Sequence, residues 1–417
     1  MPLPQPPEGA PQHPPRLPRP HPLDVLAEPA TALPAPDGVT DFWAEVRRRG
    51  APLVAPDPAG SADHRAVTFL WRGTARTRAV QVLPNKLGDP RSPEGNLMRH
   101  EPGTDVWHWT VRLRADWRGT YDLFEDLGDG PESGEPGYWQ WLRERPRADP
   151  YNPRLLPRRW SGAPVSYAEL PDAPRAVDWI PRPEVPRGTV TEHEVTSDRL
   201  GDRRKVWLYE PVVTGAPAEL PVLVLLDGEH WQPRLGVAHL LDNLVADGRI
   251  PPVAAVLPES VDAGTRWAQL TCRPEFVAFL EEELLPWAAE RLPLTTDPAR
   301  TIVAGQSLGG LTAAYAAAHS PHRFGNALVQ SGSFWWPVGP GEEWLTGALA
   351  ASERLPVRFR LSFGEQEWVA LPAARRLRDT LTSAGYDVRY REFNGGHDYL
   401  CWRTELADGL VELLAGD

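Results

Sequence analysis

Ser307 stands in Gly305-Gln306-Ser307-Leu308-Gly309, between the apolar run "TIVA" (301–304) and the alanine-rich "LTAAYAAA" (311–318). A glycine two positions before a serine and another two positions after it relieve crowding in a sharp strand-to-helix turn, which lifts the hydroxyl above the C-terminal edge of a sheet. The helix that follows would offer its free N–H groups and dipole to a developing oxyanion, so the N–H of Leu308 is the first expected donor. A serine is a poor nucleophile without a base. In hydrolases built this way the base lies on the loop after the last strand and the acid one strand earlier. "DVRYREFNGGHDYLCWR" (387–403) puts His397 behind two glycines just past a final strand, and "VRFRLSFGEQEWVA" (357–370) puts Glu365 and Glu367 past the strand before it. Glu367 is the preferred acid and Glu365 the alternative; Asp398 is less favoured because sequence neighbours rarely orient each other's rings. "VLVLLDGEHW" (222–231) supplies an earlier strand end, where the N–H of Glu229 could be the second oxyanion donor. One G-x-S-x-G arises easily by chance; the order Ser, acid, His around strand ends is what gives it weight.

These groups need a parallel sheet to hold them. Continuous apolar runs at 205–210, 221–228, 253–259, 301–305, 326–332, 357–364 and 387–393 alternate with helical patterns at 274–291, 308–319, 371–384 and 402–415. That alternation predicts an α/β-hydrolase domain over 191–417, with both faces of its sheet covered. Before it, "AVTFLWRG", "TRAVQVLP", "DVWHWTVRL" and "GTYDLFED" read as short half-buried antiparallel strands. They predict an immunoglobulin-like β-sandwich within 37–170, preceded by a short helix over "DFWAEVRRRG". Residues 171–190 read as a proline-broken linker, and the proline-rich residues 1–36 as a disordered tail.

Composition narrows the function classes. A net charge of -12 argues against nucleic acid or an acidic membrane as the main partner. No apolar run approaches membrane-span length, and the N-terminus lacks a signal pattern, so a cytoplasmic protein is expected. Two cysteines, Cys272 and Cys401, exclude a disulfide framework and a four-thiolate zinc site; they are expected to be free thiols and could be neighbours. Of 44 basic residues only Lys86 and Lys205 are lysine, so abundant arginine here says little by itself.

The segments "LLDGEHW", "TRWAQLTCRPEF", "VAGQSLGGLTAAYAAAHSPHRFGNALVQSGSFWWP" and "FNGGHDYLCWRTELADGL" resemble those of enterochelin (ferric enterobactin) esterases. "VTFLWRG", "GTDVWHWTVRLRADWRGTYDLF", "ADPYNP" and "RRKVWLYEP" resemble the N-terminal domain and junction of the same family, so the likeness runs through most of 40–417. The resemblance implies hydrolysis of the ester bonds of catecholate siderophores, trilactones of dihydroxybenzoyl-serine, with iron(III) arriving only as part of the substrate and no cofactor of the enzyme's own. It implies Ser307 as nucleophile, His397 as base and Glu367 as acid. The family often has Arg-x-x-Glu-Leu where this chain has Arg266-Trp267-Ala268-Gln269-Leu270, which removes one negative charge. An aromatic trianion calls for guanidinium groups and flat apolar surface. Arg266, Arg72, Arg118, Arg203 and Arg403 are therefore expected at the substrate, with Trp335 and Trp336 beyond the strand after the elbow. Arg204 lies in the same kind of segment, while Trp107, Trp109 and Trp117 are expected in the core. The alternatives are a feruloyl or carbohydrate esterase with a binding module, and a non-catalytic siderophore binder.

Overall fold

The computed structural model describes residues 3–7, 14–15, 17–29, 31–89, 92–160, 162–213, 219–338 and 342–415. The front half carries β1 (Leu53–Pro56), β2 (His64–Arg72), β3 (Ala79–Pro84), β4 (Arg99–His100), β5 (Val106–Arg114), β6 (Arg118–Asp126), β7 (Leu155–Leu156) and β8 (Val165–Glu169). They form two four-stranded antiparallel sheets, in the orders β1-β2-β5-β4 and β3-β6-β8-β7. Alternation sends Val67, Phe69, Trp71, Trp109, Val111 and Leu113 inward from one sheet. They meet Val80, Val82, Tyr121 and Leu123 from the other in a single apolar core, which also buries Trp117. The short helix Val39–Arg49 precedes them and ends at Gly50, whose φ of 82° suits only glycine.

The second half is one eight-stranded sheet. Its strands are β9 (Thr189–Ser197), β10 (Asp202–Glu210), β11 (Val222–Leu225), β12 (Ala254–Pro258), β13 (Thr301–Gln306), β14 (Asn326–Gln330), β15 (Arg358–Gly364) and β16 (Asp387–Phe393). Their order is β16-β15-β14-β13-β11-β12-β10-β9, antiparallel only at the β9–β10 and β10–β12 pairs. Both faces are covered, which is why the strands read as unbroken apolar runs: Val222, Val224, Val256 and Val303 face one core. Leu223, Leu225, Leu257 and Ile302 face the other. Cys272 belongs to the first core and Cys401 to the second, so the sheet separates the two thiols instead of pairing them.

Several expectations change. The helix expected over 274–291 is a π-helical turn, Phe279–Leu284, between α-helical turns at Pro274–Ala278 and Leu285–Ala289, because Pro286 cannot donate to the preceding turn. Helices at Val237–Ala246, Ala263–Gln269 and Trp344–Ala350 were not legible as periodic segments. The expected tail falls partly outside the described residues, and its stretch 17–29 is not free. Leu26 N–H donates to Thr110 O, and Arg112 N–H to Asp24 O. Arg19 donates to the carbonyl of Lys86 and, at 2.6 Å, to Gln366 Oε1. Backbone pairing on β5 and one arginine thus tie down a segment whose composition suggests disorder. No helix among the described residues is long and apolar enough to cross a membrane.

Candidate active site

β13 ends directly in Ser307, whose φ of 59° and ψ of -121° mark a backbone held in a sparsely populated region, and the helix Leu308–His319 starts at once. A Cβ on Gly305 would lie 2.4 Å from Gly309 O, so only glycine lets strand and helix approach this closely. Ser307 Oγ bonds to Ser333 Oγ at 3.5 Å rather than to His397. His397, on the loop after β16, places Nδ1 2.5 Å from Glu367 Oε2. That contact fixes the Nδ1–H tautomer and leaves Nε2 as the basic nitrogen.

Glu367 is deeply buried, and its other oxygen accepts from Ser331 Oγ at 2.6 Å and from Gly364 N at 2.8 Å. Burial alone would raise its carboxyl; His397 and these donors outweigh that and hold it below the usual carboxylate range. Glu365 points the other way, paired with Arg114 of the front half at 2.9 Å. Asp398 accepts from Thr120 N and Oγ1, both at 2.9 Å, and caps the helix Tyr399–Leu414 through Cys401 N.

Ser307 and His397 line a cavity of about 400 Å³ together with Arg266, Gln306, Asp398, Tyr399 and Trp402. The volume is that of a small-molecule site. The facing wall comes from the front half: Thr120, Leu156–Trp160 and Val165. Beneath it lies a buried charge network. Asp227, fully buried at φ 65°, receives Arg266 Nε and Nη2, each at 2.8 Å, and Ser260 Oγ at 2.5 Å. Arg159 and Gln306 Nε2 also donate to it. Burial would raise the Asp227 carboxyl, but the two facing guanidiniums reverse this and hold it well below the usual range. Burial and the neighbouring Asp227 push Glu229 the other way, upward, although Arg159 Nε donates to it at 3.0 Å. Gln306 joins the elbow to the helix that follows His397, since its Nε2 also donates to Tyr399 OH at 2.9 Å.

Of the side chains expected at the substrate, Arg266 is at the cavity. The others are elsewhere, each for a local reason. Arg72 pairs with Asp105 at 2.7 Å on the front unit's surface. Arg118 is buried against Glu405 at 3.1 Å. Arg203 pairs with exposed Glu194 at 3.2 Å near the sheet edge. Arg403 lies largely buried, off the cavity wall, where burial lowers its pKa. Trp335 and Trp336 pack into the core instead of lining the pocket. Gln269, the departure from the family pattern, joins Arg204 and Asp202 at 2.8 and 2.7 Å, away from the cavity wall. Leu308 opens its helix and Glu229 follows the β11 turn; neither is among the cavity-lining residues.

The residues that sequence reasoning missed are Arg158, Arg159, Trp160 and Tyr399. Arg159 lies over the ring of half-exposed Trp160, 4.5 Å from its centroid, at the cavity's rim. The only signal was "PRRW" (157–160), an ordinary loop in so arginine-rich a chain. Each cavity arginine is matched by a carboxylate: Arg158 by Asp122, Arg159 by Asp227 and Glu229, Arg266 by Asp227. The concentrated positive charge expected for the pocket is therefore largely compensated. Among the described residues no group of three or more His, Cys, Asp or Glu side chains is placed to hold a metal ion.

Comparison with known proteins bears on this arrangement. Residues 66–179 match the family "Enterochelin esterase, N-terminal", and residues 197–413 match the family described as "Putative esterase". The chain is 34% identical to an iron(III) enterobactin esterase of Dickeya dadantii, over 93% of this chain and 96% of that one. It is 33% identical to an iron(III) salmochelin esterase of Escherichia coli, over 91% and 94%. Among solved structures, the ferric enterobactin esterase of Salmonella typhimurium superposes with a TM-score of 0.80 at 32% identity, covering 90% of this chain and 98% of that one. The enterobactin esterase of Shigella flexneri, crystallised in the presence of enterobactin, gives 0.75 at 35% identity, covering 85% and 94%. With both halves matched in order and over nearly the full length of these relatives, the chain belongs to the enterochelin esterase family and is a carboxylic ester hydrolase.

Proposed function

We propose that the protein is a serine esterase that cleaves the ester bonds of catecholate siderophores of the enterobactin type, ferric or iron-free, and so frees iron in the cytoplasm. The observation that carries this reading is one cavity in which Ser307 and the Glu367-oriented His397 face a wall of arginine and tryptophan from the front unit. Ser307 Oγ attacks the serine-ester carbonyl while His397 Nε2 takes its proton. The N–H groups of Leu308 and Glu229 are the donors we assign to the oxyanion. Collapse breaks the ester C–O bond, and His397 returns the proton to the leaving seryl oxygen. Water, deprotonated by the same histidine, then clears the acyl-enzyme. The Ser307–His397 bond closes on substrate, as catalytic hydrogen bonds commonly do. We read the front unit as an immunoglobulin-like sandwich over 37–170 that contributes Arg158, Arg159 and Trp160 to the substrate. Iron enters only with the siderophore, and the serine mechanism needs no other cofactor.

The test is to incubate the protein with ferric and iron-free enterobactin, a p-nitrophenyl ester and a feruloyl ester, and to follow products by chromatography. Siderophore cleavage is expected, and Ser307→Ala abolishes it while retaining ligand binding. Cleavage of only the other two esters would overturn the substrate assignment, and undiminished turnover by Ser307→Ala would overturn the mechanism.

A further inference from the structure

The loop that carries His397 does not stand on the hydrolase sheet alone. Its backbone runs beside β6 of the front unit: Arg118 N–H donates to Asn394 O at 3.2 Å, and residues 118 and 395 form a parallel bridge. Along the same edge of β6 lies Asn85, directly after β3. Asn85 Oδ1 accepts from His397 N at 2.8 Å, and Asn85 Nδ2 donates to His397 O at 3.2 Å. One side-chain amide thus satisfies both backbone polar groups of the catalytic histidine. Asn85 is itself fixed, since its N–H donates to Thr120 O at 2.8 Å. Thr120 in turn holds Asp398. The fit is close enough that a Cβ on Gly396 would fall 2.4 Å from Asn85 Oδ1, and one on Gly395 3.0 Å from Arg118 O. The turn beginning at Asn85 also reaches the acid, because Arg19 spans from Lys86 O and Leu87 O to Gln366, the neighbour of Glu367.

From this we infer that Asn85 of the front unit is a positioning residue for His397, so that the front unit completes the catalytic geometry as well as walling the cavity. The inference rests on the assignment of Ser307, His397 and Glu367 as the triad. Asn85 touches neither substrate nor reacting atoms; it sets where the imidazole stands relative to Ser307 and Glu367. Displacement of a catalytic group by about 1 Å costs on the order of 100-fold in rate.

The experiment compares Asn85→Ala, Asn85→Asp and Ser307→Ala with the parent on p-nitrophenyl acetate and on ferric enterobactin. It includes melting temperature and the downfield proton resonance of His397 Nδ1–H. Asn85→Ala should lose roughly 10- to 100-fold in kcat on both esters with KM nearly unchanged, and the Nδ1–H resonance should shift or broaden. Asn85→Asp keeps the shape and the acceptor for His397 N–H but sets a carboxylate oxygen against His397 O where the amide donated, so it should fold and still lose several-fold in kcat. A folded variant of either kind with kcat within about twofold of the parent and an unmoved resonance overturns the inference. In the parent itself the His397 amide should exchange with solvent as slowly as the core amides of β6; rapid exchange counts against the inference whatever the variants do. If Ser307→Ala stays active, the triad assignment fails. If it is dead while folded Asn85→Ala is fully active, only the role of Asn85 fails.

Discussion

The acid role we assign to Glu367 rests on three contacts on its two oxygens: Oε1 accepts from Ser331 Oγ and Gly364 N, and Oε2 meets His397 Nδ1. A glutamine there would keep Oε1 on the first two donors and so aim its NH₂ at Nδ1. The imidazole would then carry its proton on Nε2, the wrong tautomer to accept one from Ser307. Glu367→Gln is therefore expected to retain its fold and substrate affinity and to lose on the order of 10⁴-fold in kcat on a p-nitrophenyl ester. A loss under tenfold would mean that the acid does not set the tautomer. The placement of Ser307 and His397 just past strand ends was legible because their motif and order follow from backbone geometry. The choice between Glu365 and Glu367 was less so, since two glutamates two residues apart at a strand end differ only in which one turns inward, and Arg114, 251 residues away, draws Glu365 outward. The arginines were least legible. In a chain with two lysines, guanidinium groups do nearly every cationic job, and Arg72, Arg118, Arg203 and Arg403 prove to be ion-pair or buried partners, while Arg158 and Arg159 join the expected Arg266 at the cavity.

The helix that follows His397, Tyr399–Leu414, also fastens the front strand β6 to the hydrolase half. Arg118 on β6 meets Glu405 on that helix at 3.1 Å, with both side chains 4% exposed or less. Arg118 Nη1 also donates to Pro174 O at 2.8 Å. Burial pushes the Glu405 carboxyl upward, opposed by Arg118. Removing Arg118 leaves Glu405 buried with only Arg391 Nη1, 3.9 Å away, as a cation, whereas replacing both with apolar side chains of similar volume takes the charge out and leaves only Pro174 O unmatched. Arg118→Met is therefore expected to destabilise by about 3–5 kcal/mol, and adding Glu405→Leu should recover most of it. Melting temperatures of the two single variants and the double variant check this, and a double variant no better than the worse single would refute it. At this scale the hydrolase strands other than β9 were readable, and so were β2, β3, β5 and β6 of the front half, because continuous and alternating apolar patterns have direct physical causes. Strands β1, β4, β7 and β8 were not, since only two to five residues each leave too short a pattern. The helix at Val237–Ala246 was not, because its buried residues include Asp242 and Asn243, which bond Tyr209 OH and the carbonyls of Asp178 and Ile180 and so interrupt the apolar stripe that marks a helical period. Nor were the strand-to-loop contacts between halves, which depend on partners nearly 300 residues apart.

The whole molecule carries a net charge of -12, and a ferric tris-catecholate carries three negative charges. Had the cavity held unpaired arginines, local focusing would override that repulsion and capture would be fastest at low salt. Instead Arg158, Arg159 and Arg266 each face a carboxylate, so the pocket supplies planar donors and stacking surfaces with little excess charge. Long-range repulsion should then govern the encounter. The Debye length falls from about 30 Å at 0.01 M to about 8 Å at 0.15 M, a change from a range spanning the molecule to one shorter than the cavity's surroundings. Over that interval kcat/KM for the ferric siderophore should rise by roughly two- to tenfold, while that for uncharged p-nitrophenyl acetate stays flat. Stopped assays across a sodium chloride series read both slopes in parallel. A kcat/KM for the ferric substrate that falls with salt would show that the cavity arginines attract the trianion despite their partners.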